Sequence, residues 1–178
     1  MSETKVIITG SVGAGKTSAV ASVSDIPLIK VQTPELTAAL PQKLKTAITV
    51  DYGELTLVDG HKIRIYGTEG YQRFDYLWKT LIKGAMGLVI LIDNSGHDPI
   101  GELARYLDNF REFLSQIQTI IGITRMDVSS EPNLQSYHNY LQEQKIEIPI
   151  LSIDARSRQS VEMVVQTLME SNKMMRNG

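Results

Sequence analysis

Strand signals that alternate with helix signals predict an α/β fold: a mostly parallel six-stranded sheet, one antiparallel edge hairpin and helices on both faces. Three observations carry that expectation. A β-branched run at 5–9 leads straight into a glycine-rich loop ending in Gly15-Lys16-Thr17. Two continuous apolar runs, 87–92 and 119–124, have the character of strands buried on both faces. Two alternating runs, 49–58 and 62–66, flank Asp59-Gly60, a strong hairpin signal.

In chain order, strand 5–9 is followed by a helix at 16–23. The segment 24–45 holds Pro27, Pro34 and Pro41 and has no clear period. So long a connection in a compact domain is usually functional, and it leaves the first helix directly, so a nucleotide-contacting role is expected. A plain connection, or one with a short helix at 34–40, is the alternative. After the hairpin, Gly67 to Gly70 breaks the pattern, and 71–83 reads as a helix with Phe74, Leu77, Trp78, Leu81 and Ile82 on one face. Asp98-Pro99 opens a helix to about 116, with Leu103, Tyr106, Leu107, Phe110 and Leu114 at helical spacing. A helix at 133–144, a last strand at 147–153 and a final helix marked by Val161, Val164, Val165 and Leu168 complete the pattern. No repeat or linker interrupts it, so residues 1–178 are expected to form one domain.

The bulk properties exclude several classes. A content of 42% hydrophobic and 21% charged residues suits a soluble globular protein. A net charge of −2 gives no grip on nucleic acid or anionic lipid. The absence of cysteine rules out disulfides and thiolate metal sites. No signal-peptide core precedes the first strand, the apolar run at 84–92 is too short to span a bilayer, and neither end carries a lipidation motif. A cytoplasmic location is expected, with no direct membrane anchor and any membrane recruitment through a partner. His61, His97 and His138 lack metal-ligand spacing and are assigned no chemistry.

The loop between the first strand and first helix satisfies G-x-x-x-x-G-K-[ST] in full. Gly10 and Gly15 permit backbone angles that a Cβ blocks. Ser11, Val12, Gly13, Ala14 and Gly15 turn successive N–H groups inward as an anion nest, and the helix adds its positive end. Lys16 reaches the β- and γ-phosphates, the Thr17 hydroxyl suits Mg²⁺, and Ser18 completes the set. A nucleotide phosphate site is the expectation.

Downstream, Thr124-Arg125-Met126-Asp127 resembles the guanine motif [NT]-K-x-D of the Ras-like small GTPases. The Asp127 carboxylate can accept from guanine N1–H and the 2-amino group, donors that adenine lacks. Arg125 stands where the family has Lys. Asp154-Ala155-Arg156 looks like the family's Ser-Ala-Lys loop, which implies an Ala155 N–H for guanine O6. The segment 66–74 is similar to D-T-A-G-Q-E-R-F: Thr68, Gly70, Arg73 and Phe74 match. Gly67 replaces the Asp that supports Mg²⁺ through water, and Tyr71 replaces the Gln that orients the attacking water. Gly70 keeps an N–H for the γ-phosphate. Gln72 is the candidate replacement for the missing Gln, with a solvent-facing position as the alternative. Asp51-Tyr52-Gly53, the hairpin and Gly67-Thr68 read like a bacterial subset of the family that includes GTPases near gliding and twitching polarity systems. Thr46 is the first choice for the first-switch Mg²⁺ ligand and Thr49 the second.

The resemblance implies a small G-protein fold of the P-loop NTPase type, with GTP or GDP and Mg²⁺ as cofactors. It implies a guanine-nucleotide switch with slow GTP hydrolysis and effectors or activators at the switch regions, a roadblock-type dimer among them. A GTP- or GDP-binding scaffold without turnover is the alternative, carried by Gly67 and Tyr71. A P-loop ATPase or small-molecule kinase is disfavoured by Asp127. Tyr71, Phe74 and Trp78 share a helical stripe, expected to be part core and part partner surface.

Overall fold

The strands are β1 (Thr4–Gly10), β2 (Ile29–Val31), β3 (Val50–Thr56), β4 (Lys62–Gly67), β5 (Gly87–Asp93), β6 (Gln118–Thr124) and β7 (Ile150–Ser152). The helices are α1 (Lys16–Val23), α2 (Pro99–Phe110), α3 (Leu134–Glu143) and α4 (Arg158–Arg176). They come from a computed structural model that describes residues 4–31, 50–68 and 80–176. Thr46, Thr49, Gly70, Tyr71, Gln72, Arg73, Phe74 and Trp78 lie outside the described residues, as does most of the helix expected at 71–83, of which 80–82 are helical.

The described strands form one sheet in the order β2-β3-β4-β1-β5-β6-β7. β1 lies parallel to both β4 and β5, β5 is parallel to β6, and β6 to β7. β3 runs antiparallel to β4 with Asp51 opposite Gly67 and Thr56 opposite Lys62. Its turn closes through Gly60 N–H to the Leu57 carbonyl at 2.8 Å and Leu57 N–H to the His61 carbonyl at 2.9 Å.

Side chains of a strand alternate between faces, and both faces are apolar here. Ile7, Leu88, Ile90 and Ile92 join Leu103, Leu107 and Phe110 of α2 and Tyr137 and Leu141 of α3 in one core. Val6, Ile8, Val89 and Leu91 join Val20 and Val23 of α1 and Val161, Val164, Val165 and Leu168 of α4 in the other. The continuous apolar runs of β5 and β6 follow from this two-sided burial. No helix among the described residues is long and apolar enough to cross a membrane.

Three expectations are corrected. Among the described residues the sheet has seven strands where six were expected: β2 lies inside the segment taken as a loop and pairs antiparallel with β3. Three residues are too few to display a period, and Lys30 interrupts the run. α2 ends at Phe110 rather than near 116; tight turns follow, with Phe113 N–H to the Phe110 carbonyl at 2.8 Å and Gln116 N–H to the Phe113 carbonyl at 2.8 Å. β7 has three residues rather than seven, because Pro149 has no N–H for a ladder, though its carbonyl accepts from Ile121 N–H at 2.9 Å.

Candidate functional site

The parallel strands β1, β5, β6 and β7 end on one edge of the sheet, where ligands of such folds bind. β1 stops at Gly10 because its next neighbour is backbone: a Cβ on Gly10 would stand 1.8 Å from the Leu91 carbonyl oxygen, and its φ is +139°. Ser11 N–H then donates to the Leu91 carbonyl at 3.0 Å, and the Ser11 hydroxyl accepts from Asp93 N–H at 3.1 Å. The loop is thus stitched to β5. From α2 the Tyr106 hydroxyl donates to the Gly10 carbonyl at 2.6 Å. Burial pushes this phenol up to about 12, so it remains a donor at physiological pH. From β6 the Thr124 hydroxyl donates to the Ala14 carbonyl at 3.0 Å.

Lys16 is buried and folds back over the loop, its ammonium donating to the carbonyls of Gly10 at 2.8 Å and Ser11 at 2.6 Å. α1 starts at Gly15, which is left-handed and provides no side-chain cap, and its first turn holds no acidic residue. The first N–H groups of α1 therefore lack the side-chain oxygen that usually satisfies them, a combination that suits an anion. Val12, Gly13, Thr17 and Ser18 are exposed around this end.

A cavity of about 490 Å³ opens beside it. Its walls are Ala14, Gly15 and Ser18, then residues 124–128 after β6, then residues 152–156 after β7. Gly15 has no Cβ to spare here, since one would stand 2.8 Å from Ala155 Cβ. Arg125 adopts a left-handed backbone, φ +59°, and its guanidinium pairs with Asp93 Oδ2 at 3.1 Å. Asp127 is exposed, with the Arg156 guanidinium 3.7 Å away. Arg156 also binds Asp154, Nε to Oδ1 at 2.9 Å, and that hydrogen bond holds the Asp154 carboxyl below the usual carboxylate range.

Behind these loops lies a buried polar relay. The Tyr137 hydroxyl of α3 donates to Asn94 Oδ1 at 2.5 Å, and Asn94 Nδ2 donates to the Ser129 carbonyl at 2.6 Å. It ties the 125–129 loop to the end of β5. On the opposite side of α1, the Thr17 hydroxyl donates to Asp51 Oδ2 at 2.5 Å. Thr68 follows Gly67 and is anchored to β1, its N–H donating to the Ile8 carbonyl at 3.0 Å.

The structure therefore lines one cavity with Ala14, Gly15, Ser18, Thr124, Arg125, Asp127, Ala155 and Arg156, while Ser11, Val12, Gly13, Lys16 and Thr17 belong to the adjoining loop and the start of α1. Gly70, Gln72 and Thr46 lie outside the described residues. Sequence reasoning assigned no site role to four residues that shape the site: Asp51, quoted only as part of the Asp51-Tyr52-Gly53 resemblance, and Asp93, Asn94 and Tyr106. Asp51 alone had a signal, its place in that pattern and a carboxylate at the head of a strand, where Asp is disfavoured. Tyr106 looked like an ordinary apolar position of an amphipathic helix.

A model of the Ras family matches residues 5–174. Among curated proteins, an uncharacterized protein of the archaeon Methanocaldococcus jannaschii is 32% identical over 93 residues, 52% of this chain and 53% of that protein. The chain thus spans about half the length of that relative. Among solved structures, the crystal structure of the bacterial selenocysteine-specific elongation factor EF-Sec is similar with a TM-score of 0.64 and 22% identity, covering 96% of this chain and 29% of that one. At that identity the likeness is one of fold.

Proposed function

The chain belongs to the Ras family, and from that premise we propose that it is a guanine-nucleotide-binding switch that hydrolyses GTP slowly and relies on an activating partner. The carrying observation is one cavity that Gly15 and Ser18 line together with Arg125, Asp127, Ala155 and Arg156. A purine nucleotide laid across it has its phosphates at the Lys16 end and its base at the Asp127 end. Asp127 accepts from the guanine N1–H and 2-amino groups, and Ala155 N–H meets O6. The stem of Arg125, anchored on Asp93, covers the base. Lys16 supplies positive charge to the phosphates.

The donors at the Thr17 end are all oxygens, a hydroxyl against a buried carboxylate, which fits Mg²⁺. Thr17, with Thr46 from the first switch, would hold the ion, and a bound Mg²⁺ neutralises charge on the phosphate oxygens. In hydrolysis a water attacks the γ-phosphorus, the bond to the β,γ-bridging oxygen breaks, and GDP leaves with phosphate. In this reading the Gly70 N–H would serve the γ-phosphate and Gln72 would be the replacement for the water-orienting Gln. Tyr71 in place of a water-orienting Gln accounts for slow turnover, and effectors or a roadblock-type activator would complete the switch region, as in the bacterial polarity-type subset. A cytoplasmic site of action, with recruitment to membranes through that partner, goes with this reading.

Calorimetric titration with Mg²⁺ present tests the assignment. GTP and GDP should bind and ATP should compete poorly. Lys16→Ala should weaken GTP by about 10- to 100-fold, the worth of a charge-assisted contact. Asp127→Asn should move preference toward xanthine nucleotides. Equal binding of ATP and GTP would overturn the guanine reading. Gly67 favours a second reading, a scaffold that binds GTP or GDP without turnover. Single-turnover assays separate the two: phosphate release abolished by Lys16→Ala supports the GTPase, and no release even with cell extract supports the scaffold.

A further inference from the structure

The loop that carries Asp127 has little packing to hold it. Met126 lies on the core, but Arg125, Asp127 and Val128 are exposed. Its shape rests on hydrogen bonds. Within the turn, the N–H groups of Val128 and Ser129 both donate to the Arg125 carbonyl, at 3.0 and 3.1 Å. Both ends of the turn are then held by one residue just past β5. Asn94 N–H donates to the Thr124 carbonyl at 3.0 Å, and Asn94 Nδ2 donates to the Ser129 carbonyl at 2.6 Å. Asn94 is only 1% exposed. The Tyr137 hydroxyl of α3 donates to its Oδ1 at 2.5 Å, which turns Nδ2 toward Ser129. Tyr137 is fully buried, and burial, with the Asp93 carboxylate second, raises its phenol above the ordinary value, so it remains a donor.

We infer that Asn94 and Tyr137 are positioning residues for base recognition: together they fix the span from Thr124 to Ser129, and with it the place from which the Asp127 carboxylate meets the purine. The inference deepens the guanine-nucleotide reading and rests on it. In that reading Asp127 offers oxygens to N1–H and the 2-amino group at once. An exposed carboxylate on a loose loop meets that demand only part of the time, and affinity falls with the fraction of loops that are correctly set. Neither Asn94 nor Tyr137 lines the cavity, so both act through the loop backbone. Packing α3 on the sheet does not call for this pair, because apolar groups of the same shape would fill the space at nearly no cost.

The test compares GDP with inosine diphosphate, whose base lacks the 2-amino group, by calorimetry with Mg²⁺ present and a melting curve for each variant. The unaltered chain should prefer GDP by about 10- to 100-fold, the worth of a hydrogen bond to a charged group. Tyr137→Phe and Asn94→Leu each strand one buried polar group, and each should lower the melting temperature. The pair Tyr137→Phe with Asn94→Leu strands neither and should recover most of that stability. Its preference for GDP should still fall by about 10-fold. Leu141→Ala, which opens the packing of the same helix without touching the relay, should lower the melting temperature and leave the preference as it was. An unchanged preference in the folded double variant overturns the inference, whether the two affinities hold or fall together. So does an equal loss of preference in Leu141→Ala, because that marks a general loosening of α3. Should the double variant not fold, Tyr137→Phe alone decides, with an expected loss of about 3-fold and the same overturning result. If the unaltered chain binds neither nucleotide, or both equally, the guanine reading itself falls and this inference falls with it.

Discussion

Gly10 and Gly60 both have positive φ, yet they occupy opposite environments. At Gly10 a methyl group meets the carbonyl oxygen and nitrogen of Leu91, backbone that cannot rotate away, at φ +139°. At Gly60 a methyl group meets nothing within 4 Å, at φ +81°. Gly10→Ala should therefore cost about 3–5 kcal/mol, the range of severe core defects. Gly60→Ala should cost about 1 kcal/mol, the strain of a left-handed residue alone. Urea melts of the two variants check the contrast, and equal losses would contradict it. The requirement for glycine at both places was legible, one from the phosphate-loop pattern and one from Asp-Gly in a hairpin. The difference between them was not, because it depends on β5 lying against β1, a neighbour just over eighty residues away. Tyr106 is a similar case. Its ring belongs to the apolar stripe of α2, but its hydroxyl reaches the Gly10 carbonyl only once that helix is laid on the sheet.

Among the helices, the capping pattern separates structural ends from the site. The Asp98 side chain caps α2 by accepting Gly101 N–H at 3.0 Å, with Pro99 just inside the helix. Asn133 caps α3 by accepting Ser136 N–H at 3.1 Å. α1 has no such cap, and its N-terminus faces the proposed phosphate position. Asp98→Ala should lower stability by about 1 kcal/mol, the usual worth of an N-cap, and leave nucleotide affinity as it was. A thermal melt and a titration together check this, and a loss of affinity would mean that α2 tunes the loop through Tyr106. Helix starts were legible because caps are local chemistry. Ends were harder: Leu114 keeps the helical spacing, although the chain has already left α2 for tight turns into β6. Short strands were hardest, since β2 and β7 have three residues each and take their identity from a neighbouring ladder.

On the scale of the whole molecule, one charged contact ties three elements together. Asp25, just past α1, accepts Thr56 N–H at the end of β3 at 2.6 Å and the Arg158 guanidinium of α4 at 2.6 Å. The Arg158 hydrogen bond is the main cause that holds the Asp25 carboxyl below its ordinary value, with the Thr56 contact second. A depressed folded value means stability that is present above the unfolded value, near pH 4, and lost as pH falls through the folded one. Asp25 is 35% exposed, so solvent screening keeps the contribution below about 1 kcal/mol. Stability of the unaltered chain should fall more steeply below pH 4 than that of Asp25→Asn, as measured by denaturant melts from pH 2.5 to 6. Parallel curves would show that the contact is carried by geometry without charge.

The sequence by itself determined the α/β pattern, the phosphate loop and the order of the later loops, because these rest on short-range periods and on side chains within a few positions of one another. Only the tertiary structure decided that residues 124–128 and 152–156 share a cavity with Gly15, that β2 adds an edge strand, and that Asp51 lies against Thr17 opposite Gly67. The physical reason is range. A strand's partners and register are set by burial of two apolar faces across the whole sheet, and no local pattern records which distant backbone will lie one ladder away.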